Sequence, residues 1–106
     1  MKKIVRIGDT DRRARLDTDH DILIYDSRAG RDSTRWTRLY AHRCKGGEIV
    51  FYEVFITLWA HEHNSIDVVT LEEAREAIEE NYNDLADDMD DEALEELGLL
   101  DPESLE

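Results

Sequence analysis

The chain has 106 residues and a formal net charge of −14, with 38% of its residues charged and 41% hydrophobic. That length permits one domain with a single modest core and excludes a multidomain architecture, while the apolar content argues for folding over wholesale disorder. A single cysteine, Cys44, excludes an internal disulfide framework and any Cys-x-x-Cys zinc or redox motif, so a reducing cytoplasm is the expected setting.

In chain order, KKIVRI (2–7) and RRARL (12–16) read as two strands of a hairpin, joined by the turn residues GDTD. Arg6 interrupts the first apolar run, so no secretory leader is expected after the opening lysines. No later apolar run approaches the ~20 residues needed to cross a bilayer, and no membrane association is expected. ILIYD (22–26) is too short for a helix and reads as a buried strand.

A second hairpin is predicted from about Arg35 to Cys44 and back through EIVFYEVFITLWA (48–60). If Gly46 and Gly47 form a two-residue turn, Cys44 faces Ile49 and His42 faces Phe51. Leu39 and Ala41 then share a face with Val50, Tyr52, Val54 and Ile56, and Trp36, Arg38, Tyr40 and His42 share the other with Phe51, Glu53 and Phe55. SIDVV (65–69) is a further strand.

The character of the chain changes at Thr70, where Thr70 and Glu73 fit a capping box at the start of an amphipathic helix. Asn81, Tyr82 and Asn83 weaken that helix, and a second is expected from near Asp84 or Asp90 to Leu97. Gly98 suits the left-handed position after a helix, with Leu99 packing back on Leu94. The expected fold is α+β, an antiparallel sheet of about five strands with one or two C-terminal helices packed on one face. It forms a single domain over residues 1–98 with a frayed tail at 99–106.

Charge is distributed unevenly along the chain. Residues 1–63 hold twelve Lys/Arg and ten Asp/Glu, whereas residues 64–106 hold Arg75 against seventeen acids. Ten arginines against three lysines fit either adaptation to high salt or a G+C-rich genome.

Within the first half, the segment from Arg28 to Lys45 concentrates Arg28, Arg31, Arg35, Arg38, Arg43 and Lys45 against only Asp32. Arg28, Arg31, Arg35 and Arg38 with Trp36 and Tyr40 form a candidate anion- or nucleic-acid-binding set. Guanidinium forks recognise phosphate or carboxylate, and the two rings would offer stacking faces. The spacing matches neither a Walker loop nor a dinucleotide-binding glycine fingerprint.

In the acidic half, Asp84, Asp87, Asp88, Asp91, Glu92 and Glu95 form a candidate contact for a protein partner with a basic surface. On this reading, removing the residues after Asn83 would leave the sheet folded and abolish association. The acidic run lacks the central glycine of an EF-hand loop. His61 and His63 share a strand parity but lie far from Cys44 in the predicted hairpin, so no metal site is assigned.

His20 beside Asp19 and Asp21 has no nucleophile elbow with it, and Cys44, although Arg43 and Lys45 are the basic neighbours that lower a thiol pKa, is a free cysteine at a strand end, which usually just packs. These patterns point away from an enzyme, and no catalytic residue or cofactor is assigned. The expected function is a non-enzymatic binding or regulatory module acting by charge-complementary contacts with a macromolecule. The alternative is an Arg-rich loop site for a phosphorylated ligand or nucleic acid, with phosphate chemistry.

Overall fold

The computed structural model describes residues 1–7, 11–28 and 34–100. Among them, six strands and two helices follow one another: β1 (Lys2–Arg6), β2 (Arg13–Asp17), β3 (Ile22–Asp26), β4 (Arg35–Arg43), β5 (Ile49–Thr57), β6 (Ser65–Val69), α1 (Leu71–Glu80) and α2 (Asp91–Glu96). The α+β class is as expected, but the strands divide between two antiparallel sheets. β1 and β2 form a hairpin of their own, and β3 to β6 form a four-stranded sheet in chain order.

The β4–β5 register corrects the predicted turn. Cys44 N–H donates to the Glu48 carbonyl at 2.8 Å and Gly47 N–H to the Cys44 carbonyl at 3.0 Å, so the loop is Lys45, Gly46 and Gly47. Only Gly47 of the two glycines has a positive φ, at 94°. This is a type I turn completed by a left-handed glycine, the usual three-residue alternative to the Gly-Gly two-residue turn. The added residue places His42 opposite Val50 and Ala41 opposite Phe51. Leu39 and Ala41 therefore share their face with Phe51 and Glu53, while Tyr40 and His42 share theirs with Val50, Tyr52 and Val54.

Each face of the four-stranded sheet has its own core. On one side, Ala14 and Leu16 of β2 pack with Tyr40, Val50, Tyr52, Val54 and Ile66, so the β1–β2 hairpin lies across the sheet. Lys3 Nζ, donating to the Ile66 carbonyl at 2.9 Å, fastens that layer. On the other side, Ile24, Tyr25, Leu39, Ala41 and Phe51 pack under Ala74, Ile78, Leu94, Leu97 and Leu99. The result is three layers, hairpin over sheet over helices. A register shift between Leu23 and Tyr25 in β3 lets consecutive residues Ile24 and Tyr25 both enter the helix-side core.

Both helix starts are set by local chemistry. Thr70 and Glu73 form the reciprocal capping box, and Asp90 accepts from Ala93 N–H at the start of α2. At the end of α2, Gly98 takes φ 77°, and Leu99 N–H and Gly98 N–H donate to the carbonyls of Leu94 and Glu95. That is the Schellman arrangement. Arg75 of α1 donates from Nε and Nη2 to the Gly98 carbonyl at 3.1 and 2.7 Å, tying the two helices together.

Two expectations change. Leu99 is buried and Leu100 packs beside it, so the packed unit runs past 98 to at least residue 100; residues 101–106 lie outside the described residues. Because Leu94, Leu97 and Leu99 complete the helix-side core, removal of everything after Asn83 would expose that core and not merely a partner surface. Between the helices, a single 3-10 turn (Tyr82–Asp84) leads to Leu85, which bridges Tyr25, and Ala86 N–H bonds to the Ile24 carbonyl at 2.9 Å. The outer edge of β3 is thereby partly covered.

Candidate functional site

The Arg28 to Lys45 stretch, one cationic block in sequence, is divided by the fold. Arg28 lies over the Trp36 ring at 4.0 Å from its centroid. Arg35 Nε donates to Glu62 Oε1 at 2.7 Å, and Arg38 Nε donates to Asp26 Oδ2 at 2.9 Å. Hydrogen bonds from Arg35 and Thr57 hold the Glu62 carboxyl below its usual range. Arg31 lies outside the described residues.

The two aromatic side chains of that set are not stacking platforms. Trp36 is 7% exposed and Tyr40 4% exposed. Tyr40 instead stacks on Tyr52, with ring centroids 5.3 Å apart and planes at 10°. Alternation along β4 turns both rings to one face of the sheet, where Tyr40 joins the core under the hairpin and Arg28 lies over Trp36. The Trp36 indole N–H is buried without a hydrogen-bond partner.

The acidic residues occupy the opposite layer. All the carboxylates of α1 and α2 are exposed. Among the described residues, none of them forms an ion pair with arginine or lysine. Asp87 and Asp88 are exposed in the turn before α2, Glu92 and Glu95 lie on its outer surface, and Asp91 accepts from the Tyr82 hydroxyl at 2.6 Å. Asp84, at the end of the 3-10 turn, is half-buried. α2 has six residues, so it presents less than two turns of carboxylates.

One carboxyl of the sheet beneath this layer is disfavoured in its charged form. Glu53 lies on the helix-facing side of β5, and burial first, then the nearby Glu73 and Asp67 carboxylates, push its carboxyl above the ordinary 4.5. A carboxyl whose folded pKa is raised binds its proton more tightly in the native state, so stability falls as pH climbs from 4.5 through the raised value. Glu53→Gln is accordingly expected to raise the melting temperature at neutral pH. The gain should vanish below pH 4.5, where both states carry a protonated carboxyl. A neutral-pH melting temperature no higher than the parent's would contradict this account of Glu53.

A cationic cleft that the sequence pattern did not single out lies between β2 and the β4–β5 turn. It measures about 630 Å³, and Arg12, Arg13, Arg15, Arg43 and Lys45 line it together with His42, Cys44, Ile7 and Ala14. Arg12 forks onto Glu48, with Nη2 donating to Oε2 at 3.0 Å. Arg13, Arg15, Arg43 and Lys45 have no carboxylate partner among the described residues. The signal was present in DRRARLD, but its arginines are spaced as strand residues and meet Arg43 and Lys45 only through the packing of the hairpin on the sheet.

Beside the cleft, Asp21 organises a polar cluster. Its side chain is 8% exposed; Oδ1 lies 2.8 Å from His42 Nδ1, and Oδ2 accepts from the Tyr52 hydroxyl at 2.7 Å and from Asp17 N–H at 2.8 Å. Burial and this hydrogen bond push the Tyr52 phenol up, keeping it a donor. Cys44 is half-buried; burial pushes its thiol up and Glu48 adds to that, outweighing the opposite pull of Arg12. Its basic neighbours in sequence, Arg43 and Lys45, are not what sets the thiol.

His61 and His63 are exposed, and His20 pairs with Asp17 at 2.8 Å on the surface. No cluster of three or more metal-ligating side chains occurs among the described residues. No helix among them is long and apolar enough to cross a membrane. No protein-family model, curated protein or solved structure is significantly similar to the chain.

Proposed function

We propose that the chain is a non-enzymatic, intracellular binding module that engages a protein partner with a basic surface through its anionic helical layer. The observation that carries this reading is the separation of charge by layer. The carboxylates of α1 and α2 face solvent without a cationic partner among the described residues, and the lone cation of the acidic half, Arg75, is occupied by the Gly98 carbonyl. Like charges held on a rigid surface raise the local field, which steers and orients a partner of opposite sign.

Glu72, Glu76, Glu92 and Glu95 are exposed and anchor no cap, so isosteric neutralisation tests the surface without touching the fold. With a synthetic lysine-rich peptide as the probe, Glu72→Gln/Glu76→Gln/Glu92→Gln/Glu95→Gln is expected to weaken binding by about tenfold or more, most strongly at low ionic strength. Removing three carboxylates outside this layer, by Asp11→Asn, Asp19→Asn and Glu48→Gln, should have a smaller effect. Equal binding by the helical variant and the parent would defeat the proposal.

A further inference from the structure

The scarce cations of this acidic chain are gathered where the fold has a cavity. Five of its thirteen lysines and arginines line the cleft between β2 and the β4–β5 turn. Four of these, Arg13, Arg15, Arg43 and Lys45, lack a carboxylate partner among the described residues, although acids outnumber bases two to one. Holding them together costs mutual repulsion that a bound anion would reverse. The hairpin carries three of the five on the side of the sheet away from the helices, so the acidic layer does not neutralise them.

We propose that this cleft binds a compact organic polyphosphate, a di- or triphosphate ester. Several guanidinium forks and one ammonium supply the charge-assisted donors that neighbouring phosphate groups require. Asp21 accepts from His42 Nδ1–H, which directs the remaining imidazole nitrogen to other partners and holds the ring at the cleft wall. A volume of about 630 Å³ exceeds what a phosphate chain alone would fill and is of the size that small organic ligands occupy. Ile7 and Ala14 supply apolar wall for the organic part.

A nucleic-acid strand fits less well. Its backbone would extend beyond the cleft over a protein of net charge −14, and the rings expected to stack its bases, Trp36 and Tyr40, are buried.

The test is titration calorimetry of the full chain with adenosine triphosphate, inorganic pyrophosphate and a single-stranded oligonucleotide, each without divalent cations and at matched ionic strength. Saturable one-to-one binding of adenosine triphosphate is expected, with pyrophosphate weaker because it leaves the apolar wall uncovered. Arg13→Ala/Arg43→Ala should weaken it by about tenfold or more. Lys2→Ala, which removes a cation of the same hairpin outside the cleft, should leave it nearly unchanged.

Cys44 supplies an independent readout, since it is the chain's single thiol and lines the cleft. Its modification by an aromatic disulfide at alkaline pH should slow when adenosine triphosphate is bound, and the protection should be lost in Arg13→Ala/Arg43→Ala. Absence of adenosine triphosphate binding, an equal loss in Lys2→Ala, or tighter binding of the oligonucleotide would each overturn the proposal.

Discussion

Leu16→Ala is expected to lower the unfolding free energy by about 2–5 kcal/mol, because it empties a fully buried position at the centre of the hairpin-side core. Leu16 and Ala14 are the buried residues that β2 contributes to that core, with Val5 and Ile7 packing beside them. An isolated two-stranded hairpin is marginal in water, so β1 and β2 depend on this contact to stay folded. The exposed side of the sheet would then present Tyr52 and Val54 to solvent. Urea unfolding gives the energy, and amide hydrogen exchange gives the location: β1 and β2 should lose protection before β3 to β6. A loss below about 1 kcal/mol, or protection lost first in α2, would show that the hairpin is not held through Leu16.

The local elements were legible because each rests on short-range chemistry. ILIYD and SIDVV coincide with β3 and β6, and the Thr70 to Glu73 capping box and the Gly98 stop both form as read. What the sequence left open were the long-range choices. Lys45-Gly46-Gly47 accommodates either a two- or a three-residue turn, and the one-residue difference re-pairs the faces of β4 and β5 while leaving the alternation within each strand intact. Nor does strand pattern say whether β1 and β2 extend a sheet or lie across one; only the burial of Ala14 and Leu16 against Tyr40 and Tyr52 decides it.

The candidate sites fared according to the same division. Exposure of the acidic helices follows from their amphipathic spacing and could be read directly. The cationic set could not, because proximity in sequence is not proximity in space. Arg28, Arg35 and Arg38 find Trp36, Glu62 and Asp26, whereas Arg43 and Lys45 join Arg12, Arg13 and Arg15 from some thirty residues earlier. The layering then gives charge a direction, with anionic helices on one side of the sheet and cationic hairpin residues on the other.

Asp21 is the polar counterpart of Leu16 in fastening the hairpin to the sheet. In sequence it is only an acidic neighbour of His20, but its nearly buried carboxylate joins three elements: the end of β2 through Asp17 N–H, β4 through His42 and β5 through Tyr52. Asp21→Ala is therefore expected to cost about 3–5 kcal/mol, since it strands the fully buried Tyr52 hydroxyl and frees His42 at once. Tyr52→Phe, which removes one hydrogen bond to a charged acceptor and keeps the ring stacked on Tyr40, should cost about 1.5–3 kcal/mol. In the double variant the stranded hydroxyl is gone, so the two losses should fall short of additivity by about 1–2 kcal/mol. Denaturant unfolding of the four proteins at neutral pH closes the cycle. Additive losses would mean that Tyr52 and Asp21 stabilise the fold separately, and that the hairpin is fastened by its apolar contacts alone.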